Sequence, residues 1–174
     1  YTFTKTYSYG DYSFGTSSDT LTATATDAAG NSATQTITVS ISKTDDQNPT
    51  IGSFGADDTT VELKTSSQTQ TVTFTAVVSD NVGISSVGLP GTSLSSVNSG
   101  TYVFTKTYDY DDYSYGDATD TLTLTVTDTA SNSITDTVTI SISKVDDEDP
   151  SITSFGANDT SVELKTSSKT QTVT

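Results

Sequence analysis

The chain contains no cysteine, histidine, arginine, methionine or tryptophan among its 174 residues. Without thiolate or imidazole donors, zinc, haem and iron–sulfur sites are excluded, as are nucleophiles activated by histidine. Seven lysines face 22 acidic residues, for a formal net charge of −15, so no basic track exists for nucleic acid. No apolar run approaches the roughly 18 residues of a membrane span, and no signal peptide opens the sequence. We therefore expect an interior segment of a longer protein.

Threonine and serine are abundant instead, at 39 and 27 residues. Low hydrophobicity with high net charge is typical of disordered chains. Here, however, apolar and polar residues alternate strictly over 121–127 and 137–143, and threonine is β-branched and favours strands. The pattern predicts a folded, all-β protein whose threonines and serines cover the solvent-facing sides of the strands.

Residues 1–73 align without a gap with residues 102–174, and 50 of the 73 positions are identical. Pairs such as Ala23/Leu124 and Val39/Ile140 exchange one apolar residue for another. A period of 101 residues matches a complete small sandwich domain rather than a solenoid repeat. Acidic segments ending at Pro49 and Pro150 mark the boundaries, since proline cannot continue a central strand. We predict the back half of one repeat at 1–49, a complete repeat at 50–149 and the front strands of a third at 150–174.

Within the complete repeat the periodicity predicts seven short strands, which is typical of an immunoglobulin-like β-sandwich. The strands are predicted at 51–55 with an edge piece at 60–64, then at 69–79, 83–88, 92–97, 101–108, 119–127 and 134–144. The predicted core comprises Ile51, Phe54, Val72, Phe74, Ala76, Val78, Ile84, Val87, Phe104, Leu122, Leu124, Val126, Val138, Ile140 and Ile142.

Acidic residues collect where the chain enters and leaves this sandwich, which we call the N-terminal and C-terminal poles. The N-terminal pole is expected to receive the preceding linker, the loop after 79 and the loop after 127. The C-terminal pole is expected to receive Asp57 and Asp58 together with the acids around 109–120. In a tandem array the C-terminal pole of one repeat faces the N-terminal pole of the next. Most of the carboxylates would therefore meet at the junctions between repeats.

Converging carboxylates repel one another unless a cation neutralises them, and oxygen-only donors favour Ca²⁺, which binds six to eight oxygens flexibly. The alternative is that these residues are solvated acids that cap turns through their own side chains. The candidate ligands are Asp45, Asp46, Asn48, Asp80, Asn81, Asp128 and Asn132, with their repeat-related counterparts Asp27, Asp146, Asp147 and Asp149.

The segments 78–83, 99–104 and 25–31, together with the Asp-rich linkers ending in proline, resemble bacterial immunoglobulin-like and hyalin-type repeats. Such repeats occur in giant surface adhesins and other extracellular bacterial proteins. The resemblance implies tandem domains outside the cell, with Ca²⁺ stiffening the junctions, and it supports Asp45, Asp46, Asp80, Asn81 and Asp128 as ligands. Ser131 departs from the pattern, because the first copy has Gly30 at that position.

Tyrosines concentrate in one segment of each copy, at Tyr7, Tyr9 and Tyr12 and at Tyr108, Tyr110, Tyr113 and Tyr115. Exposed aromatic rings would form a binding or packing surface for a glycan or a neighbouring chain. The alternative is that alternate rings fold back over the end of the sandwich and extend its core.

We expect a non-catalytic structural protein: an extracellular or cell-surface stalk, filament or giant adhesin whose tandem repeats are stiffened by Ca²⁺. Its partners would be neighbouring repeats, with lateral copies in a filament or a surface glycan as further partners. Paired carboxylates could serve glycoside hydrolysis, but here they lie in linkers and loops without a pocket-forming insertion. The alternative function is an adhesion module that recognises a ligand or glycan through the tyrosine-rich segment. Burial of the tyrosines would favour a stalk, and exposure in every repeat would favour a binding module.

Overall fold

The computed structural model describes residues 1–167 and 170–174 of the chain. Its strands are β1 (Gly15–Thr26), β2 (Ser32–Lys43), β3 (Thr50–Ala56), β4 (Thr60–Lys64), β5 (Thr69–Ser79), β6 (Ile84–Gly88), β7 (Ser93–Asn98), β8 (Thr101–Asp109), β9 (Gly116–Asp128) and β10 (Ser133–Val145). Two 3₁₀ turns, Tyr9–Asp11 and Tyr110–Asp112, occupy equivalent positions in the two copies. No helix in the described ranges is long and apolar enough to cross a membrane.

Strands β3 to β10 form two four-stranded sheets packed face to face. One sheet has the order β3-β5-β8-β7 and the other the order β4-β10-β9-β6. Neighbouring strands are antiparallel except for β4, which runs parallel to β10. The chain thus forms the edge of one sheet as β3 and then crosses to the edge of the other sheet as β4. This order is that of an immunoglobulin-like sandwich, so the predicted all-β fold class is confirmed.

Each predicted strand of the complete repeat is present, and the largest boundary difference is at β9, which begins at Gly116 rather than near residue 119. Ten of the predicted core residues are buried, and Ile51, Phe54, Ile84, Val87 and Val138 pack against them while partly exposed. Five further buried hydrophobic residues lie outside that list: Val61, Leu63, Leu89, Tyr108 and Tyr110. Burial of the two tyrosines agrees with the alternative that rings of this segment fold back and extend the core. The core therefore extends farther toward the C-terminal pole than strand periodicity indicated.

The outer faces of the sheets are covered by hydroxyl side chains, as the alternation predicted. On β9 and β10, Thr121 lies opposite Thr139, and their hydroxyls are 3.0 Å apart. On the other sheet Thr71 and Thr107 form the same kind of pair at 2.9 Å. Because each hydroxyl can donate and accept, such pairs satisfy one another without charge.

Strands β1 and β2 form a separate two-stranded sheet that repeats the geometry of β9 and β10. Its apolar side is uncovered: Ala23 and Ala25 are exposed, whereas their counterparts Leu124 and Val126 on β9 are fully buried. In the described part of 150–174, no residue belongs to a named strand. Residues 168 and 169 of that predicted third repeat lie outside the described residues.

The placement of Asp57 and Asp58 at the C-terminal pole was wrong. Ala56 is paired with Phe74, in the middle of β5, and the Asp57 amide donates to the Thr73 carbonyl at 2.9 Å. These acids therefore lie midway along the sandwich, where the chain crosses from β3 to β4. The C-terminal pole is instead reached by the turn between β4 and β5, because β4 has to run parallel to β10 before the chain reverses.

Candidate metal centre

Three chain segments meet at the N-terminal pole of the complete repeat: the linker before β3, the β5–β6 loop and the β9–β10 loop. They bring together Asp45, Asp80 and Asp128, and one carboxylate oxygen from each lies within 4.8 Å of the other two. Asp128 is only 1% exposed, and Asp45 and Asp80 are half-buried. Three of the predicted ligands are therefore adjacent in space although up to 83 positions separate them in sequence.

The β5–β6 loop orients Asp80 through local hydrogen bonds. Its Oδ2 accepts the amides of Val82 and Gly83, each at 2.8 Å. Both hydrogen bonds hold the pKa of the Asp80 carboxyl below its ordinary value, and the bond from the Gly83 amide has the larger effect. The Gly83 carbonyl accepts the Thr129 amide at 3.0 Å, which joins this loop to the β9–β10 loop. The Asp80 carboxylate is thus held in its charged form at the meeting point of two loops.

The β9–β10 loop turns around Asp128. Its Oδ1 accepts the amides of Ala130 and Asn132 at 2.8 Å, and its Oδ2 accepts the Asn132 side-chain nitrogen at 2.8 Å. Ser131 has a φ of 77°, a left-handed conformation that its counterpart Gly30 also adopts, at 91°. The substitution of glycine by serine therefore leaves the turn intact, because the Asp128 side chain closes it on both sides of the strained residue.

The linker contributes Asp45, which two asparagines hold in position. The Asn81 side-chain nitrogen donates to Asp45 Oδ1 at 3.0 Å, and the Asn132 side-chain nitrogen donates to the Asp45 carbonyl at 3.2 Å. Pro49, four residues on, is buried before β3 begins. These contacts attach the linker to both loops of the repeat that follows it.

Two oxygens of this cluster are buried without a hydrogen-bond donor: Asp45 Oδ2 and Asp80 Oδ1. A buried, unpaired carboxylate oxygen is costly, and neighbouring carboxylates increase that cost by mutual repulsion. The donor set consists of oxygens only. It suits a hard divalent cation that completes its shell with water or carbonyl oxygens, as Ca²⁺ does.

The other predicted ligands lie elsewhere. Asp46 and Asn48 are exposed in the same linker, and Asp149 is exposed in the next one. Asp27 accepts the amides of Ala29 and Asn31 in the β1–β2 turn, at the opposite end of β2 from Asp45. Asp146 and Asp147 contact the β4–β5 turn at the C-terminal pole.

The tyrosines of the complete repeat divide into buried and exposed rings. Tyr108 and Tyr110 belong to the core, Tyr113 packs against it, and Tyr115 is 64% exposed. In the first copy Tyr7 and Tyr12 are half-buried and Tyr9 is exposed. The tyrosine segment thus closes the C-terminal end of the core and leaves one ring at the surface.

Sequence reasoning missed a charged network beside these rings. Lys106 Nζ lies 2.6 Å from Asp120 Oδ2, and the Tyr108 hydroxyl donates to the same oxygen at 3.0 Å. Burial and then this carboxylate raise the pKa of Tyr108, so its hydroxyl stays protonated and can donate. Lys5, Asp19 and Tyr7 make the same contacts in the first copy. The sequence does contain a signal for this network, because all three residue types recur in the second copy 101 positions later.

No protein-family model and no curated protein sequence matches the chain. Among solved structures it is similar to the protocadherin PcdhgB3 EC1-4, with 16% sequence identity and a TM-score of 0.39. The match covers 74% of this chain and 32% of the protocadherin chain, so this chain spans about a third of the length of the protocadherin chain. The immunoglobulin-like sandwich is assigned from the strand order of the two sheets described above.

Proposed function

We propose that the chain is a non-catalytic segment of an extracellular stalk, filament or adhesin, built from immunoglobulin-like repeats whose junctions bind Ca²⁺. The repeats are those at 1–49, 50–149 and 150–174, joined by the acidic segments that follow β2 and β10 and end at Pro49 and Pro150. Its role is mechanical, because a cation held by a linker and by the loops of the next repeat limits bending between the two.

Repetition at the structural level supports the division into repeats. The pair β9–β10 and the pair β1–β2 have the same register, with Thr121 opposite Thr139 and Thr20 opposite Thr38. Ile142 is 2% exposed beneath the second sheet, and its counterpart Ile41 is half-buried. The apolar side of β1–β2 thus matches a surface that a second sheet covers in the complete repeat.

The observation that carries the proposal is the convergence of Asp45, Asp80 and Asp128, with two buried oxygens that lack a donor. Asp45 belongs to the segment that leaves β2, and the other two belong to loops of the complete repeat. A cation at this point would link the two parts of the chain directly. Mg²⁺ fits the site less well, because it demands a tight octahedron and retains its water.

Burial of Tyr108 and Tyr110 favours a structural function over recognition of a glycan. A tyrosine inside the core cannot contact a ligand without unfolding the end of the sandwich. The exposed Tyr115 ring is a single contact, whereas binding surfaces usually combine several aromatic anchors. The tyrosine segment therefore supports the stalk rather than the adhesion module as the function of this region.

The test is a Ca²⁺ titration of the whole chain by calorimetry, with melting in Ca²⁺ and in chelator. Extracellular modules bind Ca²⁺ with dissociation constants of about 10⁻⁴ to 10⁻³ M. At ten times that concentration, linkage stabilises the fold by about 1.4 kcal/mol and raises Tm by roughly 6–11 °C for a unit of this size.

Asp80→Asn should abolish the Ca²⁺-dependent rise in Tm, because it removes a charged ligand but keeps an oxygen for the turn. Asp112→Asn is the matched control, since it removes one exposed carboxylate near the opposite pole. Identical melting of the wild type in Ca²⁺ and in chelator would contradict the proposal, as would equal behaviour of the two variants.

A further inference from the structure

The linker that leaves the complete repeat does not extend freely from β10. Strand β10 runs parallel to β4, with Val145 opposite Lys64 as the last pair. Continuing this register places Asp146 beside Thr65 and Asp147 beside Ser66. The β4–β5 turn thus lies directly in the path of the linker.

The side chains make use of this alignment. The Thr65 hydroxyl donates to Asp146 Oδ1 at 2.9 Å, and the Ser66 amide donates to Asp147 Oδ1 at 3.0 Å. The Ser66 hydroxyl donates to the other oxygen of Asp147. Three donors from one turn therefore engage two consecutive carboxylates, and hydrogen bonds to charged acceptors are stronger than neutral ones.

The turn rests on a rigid support. Its ends are closed by reciprocal hydrogen bonds between the backbones of Lys64 and Ser67, at 3.0 and 3.2 Å. Behind it, the hydroxyl of the buried Tyr110 lies 3.4 Å from Thr65 Oγ1 and 2.7 Å from the Tyr115 hydroxyl. Because the Tyr110 ring is buried in the core, its hydroxyl offers Thr65 a fixed contact.

Lys144 completes the support from the linker side. Its Nζ lies 3.7 Å from the centre of the Tyr110 ring and donates to the Tyr113 carbonyl at 2.8 Å. This contact fixes the last residues of β10 against the same aromatic rings. The tyrosine segment thereby stabilises both the turn and the point at which the linker begins.

We propose that the β4–β5 turn of each repeat, Thr65 and Ser66 here, is the docking site for the linker that leaves the same repeat. Docking holds the linker aspartates in position without a cation. It places the flexible point between repeats after Asp147 rather than at the end of β10. The Thr-Ser pair recurs in sequence as Thr166 and Ser167.

The repeat relation extends this role to the next junction. Asp146 is the counterpart of Asp45, and each accepts the backbone amide two residues later on its Oδ1, at 3.1 and 3.2 Å. In a complete junction one aspartate would contact the turn of the preceding repeat and the carboxylate cluster of the following one. This extension rests on the proposed function, whereas docking itself does not.

The test is amide hydrogen exchange and ¹⁵N relaxation by NMR on the whole chain in chelator. In the wild type the Ser66 amide should be protected, and the amides of Asp146 and Asp147 should be as ordered as those of β10. Asp147→Ala removes both hydrogen bonds that Ser66 donates to this carboxylate, and it should speed exchange of the Ser66 amide by about tenfold or more, because the lost acceptor is charged. Thr65→Val should increase the mobility of Asp146 and Asp147, whereas Thr65→Ser should leave them ordered because it keeps the hydroxyl.

Ser67→Ala is the matched control, since it changes the same turn and leaves both docking residues in place. It should leave exchange at Ser66 unchanged. Rapid exchange of the wild-type Ser66 amide, or equal linker mobility in the wild type and Thr65→Val, would overturn the docking proposal. The Ca²⁺ titration is a separate readout. Docking in chelator without Ca²⁺ binding would uphold this inference and refute the proposed cation site.

Discussion

Leu124 offers a direct measure of how much the core of the complete repeat contributes to stability. Its side chain, in the middle of β9, is fully buried between the two sheets. The first copy has Ala23 at the equivalent position, so Leu124→Ala replaces the residue by one that the repeat already uses. A buried leucine cut to alanine loses its transfer free energy and leaves a cavity, at a cost of about 2–5 kcal/mol. For a unit of about 100 residues, a loss of about 3 kcal/mol lowers Tm by roughly 12–24 °C.

Urea unfolding followed by tyrosine fluorescence measures this loss, since the chain has nine tyrosines and no tryptophan. Leu94→Ala is the matched control: it removes the same atoms from β7, where the leucine is 53% exposed. It should change the free energy of unfolding by less than about 1 kcal/mol. Equal decreases in the two variants, at an unchanged m-value, would refute the assignment of Leu124 to a packed interface between sheets.

Two further predictions concern a turn and a carboxylate of the same repeat. Gly100 has a φ of 81°, and an added Cβ would lie 2.7 Å from the Val78 carbonyl oxygen, so Gly100→Ala should cost about 1–3 kcal/mol. Gly88→Ala, where a Cβ meets nothing within 4 Å, should be nearly neutral in the same urea titration. The amide and hydroxyl of Thr60 lower the pKa of Asp58. The stabilisation that Asp58 gives to the folded state is therefore fully present above its unfolded pKa, near 3.9. It is lost as pH falls through the lower pKa of the folded state. Stability should decrease below pH 4, and Asp58→Asn should make that decrease shallower; equal slopes would contradict this.

The strands were predictable because their signal is local. Alternation along 121–127 and 137–143 depends on neighbours two positions apart, and a half-buried strand needs nothing more. Predicting the sandwich also needed only the number and spacing of such strands. The repeat at 101 residues is the basis for the predicted division of the chain, because two copies of one fold would keep apolar residues at equivalent positions.

Which of the tyrosines are buried could not be predicted in the same way. Tyr110 and Tyr115 have similar neighbours in sequence, yet one is buried and the other is 64% exposed. The difference arises because β4 crosses to the second sheet and brings its turn over Tyr110. The same crossing moved Asp57 and Asp58 away from the pole, where a simple strand order had placed them.

Composition and periodicity alone specify an acidic, all-β chain with a 101-residue sequence repeat and without thiol or imidazole chemistry, since these properties depend on residue type and order along the chain. Which acids meet depends on distant segments. Asp45, Asp80 and Asp128 lie on a linker and two loops, and their oxygens come within 4.8 Å only because the sheets bring those segments to one pole. Asp146 and Asp147, in an equivalent linker, face a hydroxyl-rich turn instead, because the parallel register of β4 and β10 places that turn beside them.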